Sequence, residues 1–259
     1  MLRRALFAIF VGATAVVSPI QAADDAFPNG DVPGGLEPTP VRAVIELFTS
    51  QGCSSCPPAD ALLKKLSDDP SIITLSMPVD YWDYLGWKDT FATPRNTERQ
   101  RGYAKARGDG AIYTPQAVIN GAVHVNGSSR SDITAAIEAT SQKNKGPHVP
   151  VRVWQERNTL NIATAPAAPG ETVREATIWL GVVQQSGTVE IKHGENAGEA
   201  ITYTNIVKDL TPIGLWKGQA MRIQIPRGAI MQAETQKFVV LMQEGRAGPI
   251  IGAAWANLW

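Results

Sequence analysis

A chain of 259 residues with 24 basic and 24 acidic side chains has no formal net charge, and only 19% of its residues are charged. That balance leaves no electrostatic footprint for nucleic acid or an anionic membrane surface. With 44% hydrophobic residues, the length is enough for two modest domains.

Met1-Leu2-Arg3-Arg4 is a short basic start, residues 5–18 form an uncharged, mostly apolar run, and small residues follow at Ala22 and Ala23. This layout predicts a secretory signal peptide over residues 1–22, too short for a membrane span. An uncleaved N-terminal anchor would need a longer apolar stretch. Cleavage removes Arg3 and Arg4 and no acid, leaving 22 basic against 24 acidic residues, a formal charge of −2. No other apolar run approaches bilayer length. The mature chain is therefore expected in the periplasm or outside the cell, where paired cysteines persist as a disulfide. Residues 23–40, with Pro28, Pro33, Pro38, Pro40, Gly30, Gly34 and Gly35, read as a flexible tether with almost nothing to bury.

Residues 42–48 are a buried-strand candidate. The two cysteines of the chain follow as Cys53-Ser54-Ser55-Cys56. Ala59, Leu62, Leu63 and Leu66 then fall at i, i+3, i+4 and i+7, one face of a helix. Pro57 and Pro58 tolerate only a first helical turn, so that helix starts near Cys56 or Pro57 and leaves Cys53 in the approach loop. Residues 72–77 are a second strand. After it, Tyr81-Trp82-Asp83-Tyr84 and Trp87-Lys88-Asp89 read equally as a groove lining and as the packing of a long insert. Thr93-Pro94 caps a polar helix towards Arg107, on which Arg95, Arg99, Arg101, Lys105 and Arg107 read as a solvated face. Residues 116–119, Asn120-Gly121 and 122–125 read as a hairpin, because Asn-Gly supplies the positive φ of a tight turn. Ser129, with Asp132 three residues on, caps a last helix whose Ile133, Ala136, Ile137 and Thr140 share a face.

Near residues 143–150 the pattern changes, and residues 41–146 and 147–259 read as two domains. In the second, alternation dominates: Val149, Val151 and Val153; Leu160 and Ile162; Ile178, Leu180 and Val182; Val189 and Ile191; Ile201 and Tyr203; Met221, Ile223 and Ile225. Turn residues separate these segments, so an antiparallel β-sandwich is predicted. Trp154, Trp179, Trp216, Trp255 and Trp259 lie there, as core or as a ligand face.

The order β, α with a C-x-x-C, β, α, hairpin, α resembles the thioredoxin fold. The predicted architecture is thus an α/β thioredoxin-like domain followed by an antiparallel β-sandwich domain. The runs VIELFTSQGCSSCPPADALL, PVDYWDYLGWKD and IYTPQAVING resemble secreted bacterial proteins of the domain of unknown function 1223 family, over nearly all of residues 41–259. One departure is Pro78, where that family is expected to carry a histidine. The thioredoxin resemblance implies a cis Thr114-Pro115 bond facing the cysteines. It also implies a proton-handling acid in the first strand, for which Glu46 stands one residue further from the motif than the pattern asks. A strand-edge Glu46 facing water is the alternative.

A C-x-x-C exchanges disulfides when its first thiol ionises readily and the second can resolve the mixed disulfide. Cys53 would attack, Cys56 resolve, and Pro115 shape a docking groove for client thiols, client disulfides or a redox partner. No Lys, Arg or His lies within three residues of either cysteine, so the helix end must lower the thiol pKa, and only mildly for a Cys53 outside the helix. A purely structural bridge is a weak alternative, since closing so short a loop removes only about 2 kcal/mol of unfolded-state entropy. No cofactor is required, but two thiolates also suit Cu(I), with His124 as third ligand; His148 falls in the linker and His193 in a turn. Zinc lacks four ligands at finger spacing. Three readings stand: a thiol–disulfide oxidoreductase, a Cu(I) carrier using Cys53, Cys56 and His124, and a non-catalytic binding module whose bridge is buried and slow to reduce.

Overall fold

Alternating side chains along Ala43–Thr49 face two different helix layers, which fixes where the first strand must lie. A computed structural model describes residues 40–143, 145–230 and 237–257 of the chain. The expected signal peptide (1–22), all of the expected tether but Pro40, and Trp259 lie outside the described residues. Strand β1 (Ala43–Thr49) leads to α1 (Pro57–Leu66), β2 (Ile72–Pro78), a 3-10 turn at Asp83–Leu85, α2 (Pro94–Arg107), the hairpin β3 (Gln116–Ile119) and β4 (Val123–Asn126), and α3 (Arg130–Gln142). This is the element order read from the sequence. Ala43, Ile45 and Leu47 pack under α1 and α3, whereas Val44 and Phe48 pack with Tyr103 of α2. Local chemistry sets the boundaries. Thr93 Oγ1 accepts from Asn96 N at 3.2 Å, Ser129 Oγ accepts from Asp132 N at 3.3 Å, and Asn120 and Gly121 supply φ of 51° and 65° at the hairpin.

The second half holds β5 (Val151–Glu156), β6 (Thr159–Thr164), β7 (Ala176–Glu190), β8 (Ala200–Trp216), β9 (Met221–Pro226), β10 (Lys237–Glu244) and β11 (Ile250–Asn257). The predicted architecture, a thioredoxin-like α/β domain followed by a separate antiparallel sandwich, does not form. The described chain is mostly β with three α-helices, and one mixed sheet of eight strands runs β11-β10-β7-β8-β2-β1-β3-β4. Strands β5, β6 and β9 make a second sheet of three. The seam of the large sheet is a parallel pairing of β2 with β8, Ser76 opposite Ile206. There β8 bends at Asn205 (φ 54°), whose amide donates to Thr74 Oγ1 at 3.0 Å.

Alternation reports which face of a strand is buried and is silent about which edge it pairs with, which is why the sequence suggested two separate layers. Every residue of β2 is buried, and an unpaired edge there would leave a row of backbone groups unsatisfied. Strand β8 supplies the missing partner. One core therefore crosses the seam, joining Val44, Ile73, Leu75 and Met77 to Val183, Val207, Val239, Leu241 and Ile250. A second core lies between the two sheets, where Val151, Leu160 and Ile162 meet Ile178, Leu180, Phe238 and Val240 around Trp216.

Strands β7 and β8, 15 and 17 residues long, pair as far as Glu190 with Ala200. Their shared tip, residues 191–199, reaches the end of β1.

Candidate functional site

Beyond Thr49 the chain makes two tight turns before α1: Cys53 N donates to Ser50 O at 3.2 Å, and Cys56 N to Cys53 O at 3.1 Å. Gly52 lets the loop pass close to Trp82, whose Cβ lies 3.1 Å from where a glycine-52 side chain would begin. Cys53 and Cys56 are joined in a disulfide with Cα atoms 5.4 Å apart. Cys56 is the N-cap of α1, and Pro57 and Pro58 occupy its first two positions, as the sequence required. Those prolines have no N–H, and the N–H groups of Ala59 and Asp60 both go to Cys56 O, at 2.9 and 3.1 Å. This helix end consequently offers little direct donation to a thiolate at Cys56.

Ser54 and Ser55 are exposed, but Cys53 and Cys56 are 1% and 0% exposed. The tip of the β7–β8 hairpin covers them. The Asn196 amide donates to Gln51 O and to Cys53 O, both at 2.9 Å, and Glu195 Oε2 accepts from Ser54 N at 3.2 Å. The insert after β2 completes the surround. Trp87 Nε1 donates to Gln51 Oε1 at 2.8 Å with its ring against His193, and Asp89 accepts from the backbone N–H groups of Gln51, Phe91 and Ala92. Trp82 Nε1 donates to Thr114 Oγ1 at 2.9 Å, and the Thr114–Pro115 bond is cis, as expected. Pro115 packs by Gly127, with Leu47 and Ala59 beside it.

Glu46 is fully buried but committed elsewhere. Arg99 grips it with both Nε, 2.6 Å from Oε1, and Nη2, 3.2 Å from Oε2, and the Tyr103 hydroxyl donates to it as well. Gln243 of β10 bonds both Arg99 and Tyr103, so the cluster ties β1, α2 and β10 together. Arg99, expected on a solvated face, is thus a core residue. Arg95, Arg101 and Lys105 of the same helix are exposed, and nothing in the charge pattern sets Arg99 apart from them.

His124 is held by Tyr113 OH at Nδ1 (2.9 Å) and Asp109 at Nε2 (3.2 Å), and burial followed by the nearby Arg107 charge pushes its pKa below the ordinary value. Among the described residues no group of three or more His, Cys, Asp or Glu side chains is placed to hold a metal ion. His148 bonds Gly146 O and Glu171.

Three residues of this site escaped the sequence reading. Asp60, on α1, is 3% exposed; Thr49 Oγ1 donates to its Oδ2 at 3.0 Å and its Oδ1 has no partner. Burial first, then the Asp89 charge, raise its pKa well above the carboxylate range, against the pull of the Thr49 hydroxyl. The spacing held a clue: Asp60 stands four residues from Cys56 and three from Leu63, on the face that faces inward. For Glu195 and Asn196, which follow His193 in its turn, no local signal exists.

The site is a C-x-x-C disulfide at a strand-to-helix junction, sealed by a hairpin arm of the same mixed sheet. The chain belongs to the family described as Protein of unknown function (DUF1223), which it matches over residues 44–243. Its structure is similar to the crystal structure of protein AGR_C_4864 from Agrobacterium tumefaciens, at 34% identity and a TM-score of 0.75, over 85% of this chain and 95% of that one. HBP35 of Porphyromonas gingivalis shares the fold alone, at 10% identity and a TM-score of 0.53, over 83% of this chain and 74% of that one. No curated protein matches. Among the described residues no helix is long and apolar enough to cross a membrane.

Proposed function

We propose that this chain is a periplasmic or secreted thiol–disulfide oxidoreductase that works through Cys53 and Cys56 once the 191–199 tip lifts. The observation that carries the reading is the position of the bridge. It links the loop that follows a central strand to the start of a helix, its two intervening serines face solvent, and the tip reaches Gln51 O, Cys53 O and Ser54 N through two polar side chains, Asn196 and Glu195. Contacts of that kind are worth about 1 kcal/mol each and exchange readily with water. Ile191, at the root of the tip, belongs to an apolar cluster with Tyr203, Trp87 and Phe91.

In the open form a client thiolate attacks Cys53 Sγ. The Cys53–Cys56 bond breaks, a client–Cys53 disulfide forms, and the electron pair leaves on Cys56 sulfur. A second client thiolate then attacks the client sulfur of that mixed disulfide. The client leaves oxidised and Cys53 is released as thiolate. Run backwards, the same steps reduce a client disulfide.

The burial of both sulfurs favours a second reading, in which the bridge is a non-exchanging staple. Insulin reduction and the refolding of a scrambled disulfide protein separate the two. Wild type should be active and Cys53→Ser inactive; equal activity of the two would end the oxidoreductase reading.

A further inference from the structure

Opening the Cys53–Cys56 bridge places negative charge on a sulfur that is wholly buried and has little backbone donation to receive it. Pro57 and Pro58 bring no N–H, and those of Ala59 and Asp60 are spent on Cys56 O. Unsolvated charge in such a place is costly, so a proton must arrive with the electron pair. Glu46 cannot bring it, being locked to Arg99 and Tyr103.

We propose that Asp60 is the proton store of the cysteine pair, giving its carboxyl proton to Cys56 sulfur as the bridge opens and taking it back as the bridge closes. The inference rests on the exchange chemistry proposed above. Residues four apart on a helix stack on one face, with Cβ atoms about 5–6 Å apart, and Asp60 N is bonded to Cys56 O. The groups around the carboxyl are Thr49 from β1, which donates to one oxygen, Asp89 from the insert after β2, and Tyr203 from β8. None of the three is a cation.

Of Asp60 and Asp89, Asp89 receives three backbone N–H donors that favour its charge, although burial raises it too, whereas Asp60 receives one hydroxyl and leaves Oδ1 bare. Asp60 is accordingly the acid that keeps its proton. The Tyr203 hydroxyl is likewise buried without a partner, and burial and then the fields of Asp60 and Asp89 hold it protonated.

The step balances. Attack on Cys53 releases Cys56 as thiolate, the Asp60 carboxylic acid protonates it, and the products are a Cys56 thiol and an Asp60 carboxylate. In the closing direction Asp60 carboxylate takes the thiol proton, and the Cys56 thiolate attacks Cys53 and expels the client thiolate.

Two measurements test this. The infrared spectrum of the oxidised wild type at pH 7 should show a protonated carboxyl stretch that is absent from Asp60→Asn. Reduction of the bridge by a small dithiol should then be followed from pH 5 to 9 in an Asn196→Ala background, which removes the main covering contact from both proteins. The parent should show an inflection matching the titration of the carboxyl band. Asp60→Asn should lose the inflection and react at least tenfold more slowly. An ionised carboxyl in the oxidised wild type, a reading that needs no folded variant, overturns the inference, as does an unchanged rate and profile in Asp60→Asn. Inactivity towards insulin with the band and profile intact would remove the oxidoreductase reading and spare Asp60.

Discussion

Replacing Asn196 with alanine perturbs only the cover of the bridge and leaves the cysteines, α1 and the large sheet in place. In the closed form the substitution removes two hydrogen bonds, to Gln51 O and Cys53 O, and leaves both carbonyls under the tip without that donor. At about 1 kcal/mol per bond the closed form loses roughly 2 kcal/mol relative to the open one, in which water satisfies the same carbonyls in either protein. If a dithiol reaches the sulfur only through the open form, the observed reduction rate scales with the open population. It should rise about 30-fold, a tenfold change being about 1.4 kcal/mol. The assay is reduction of the purified oxidised protein by excess dithiothreitol at pH 7.5, followed by thiol trapping over time. Glu195→Gln should have a smaller effect, because the exposed bond from Ser54 N keeps a neutral acceptor. An Asn196→Ala protein that reduces at the wild-type rate would refute the idea that the hairpin tip controls access to the bridge.

Arg99→Met should lower the unfolding free energy by about 3–5 kcal/mol in urea, because it strands the buried Glu46 carboxylate, and adding Glu46→Gln should recover part of that loss. Gly127→Ala should cost about 1–3 kcal/mol and lower Tm in a thermal scan, since the added methyl would lie 2.5 Å from Leu47 Cδ1 and 3.3 Å from both Ala59 and Pro115. The folded Asp60 carboxyl holds its proton above the ordinary value of 3.8, so its contribution to stability is intact below that pH and is lost as pH rises towards the folded value. The stability of Asp60→Asn relative to wild type should therefore climb from about pH 4 upwards, by up to about 1.4 kcal/mol per unit, and then level off. A flat difference from pH 4 to 8 would mean that Asp60 is ionised in the folded protein.

What the sequence determined by itself is local. Helix starts follow from Thr93, Ser129 and the Pro57-Pro58 pair, the hairpin from Asn120-Gly121, and the bridge from two cysteines three apart. Each depends on φ preferences, caps or spacing within a few residues of chain. Tertiary structure decided the rest, because it turns on which distant surfaces meet. Strand β8 joins β2 in one sheet, Arg99 swings inward to Glu46 53 residues away, and Asn196 closes over Cys53 from 143 residues along the chain. A side chain's alternation tells whether it is buried and never which partner buries it. Hence the sequence could announce the disulfide, and only the packed sheet could seal it.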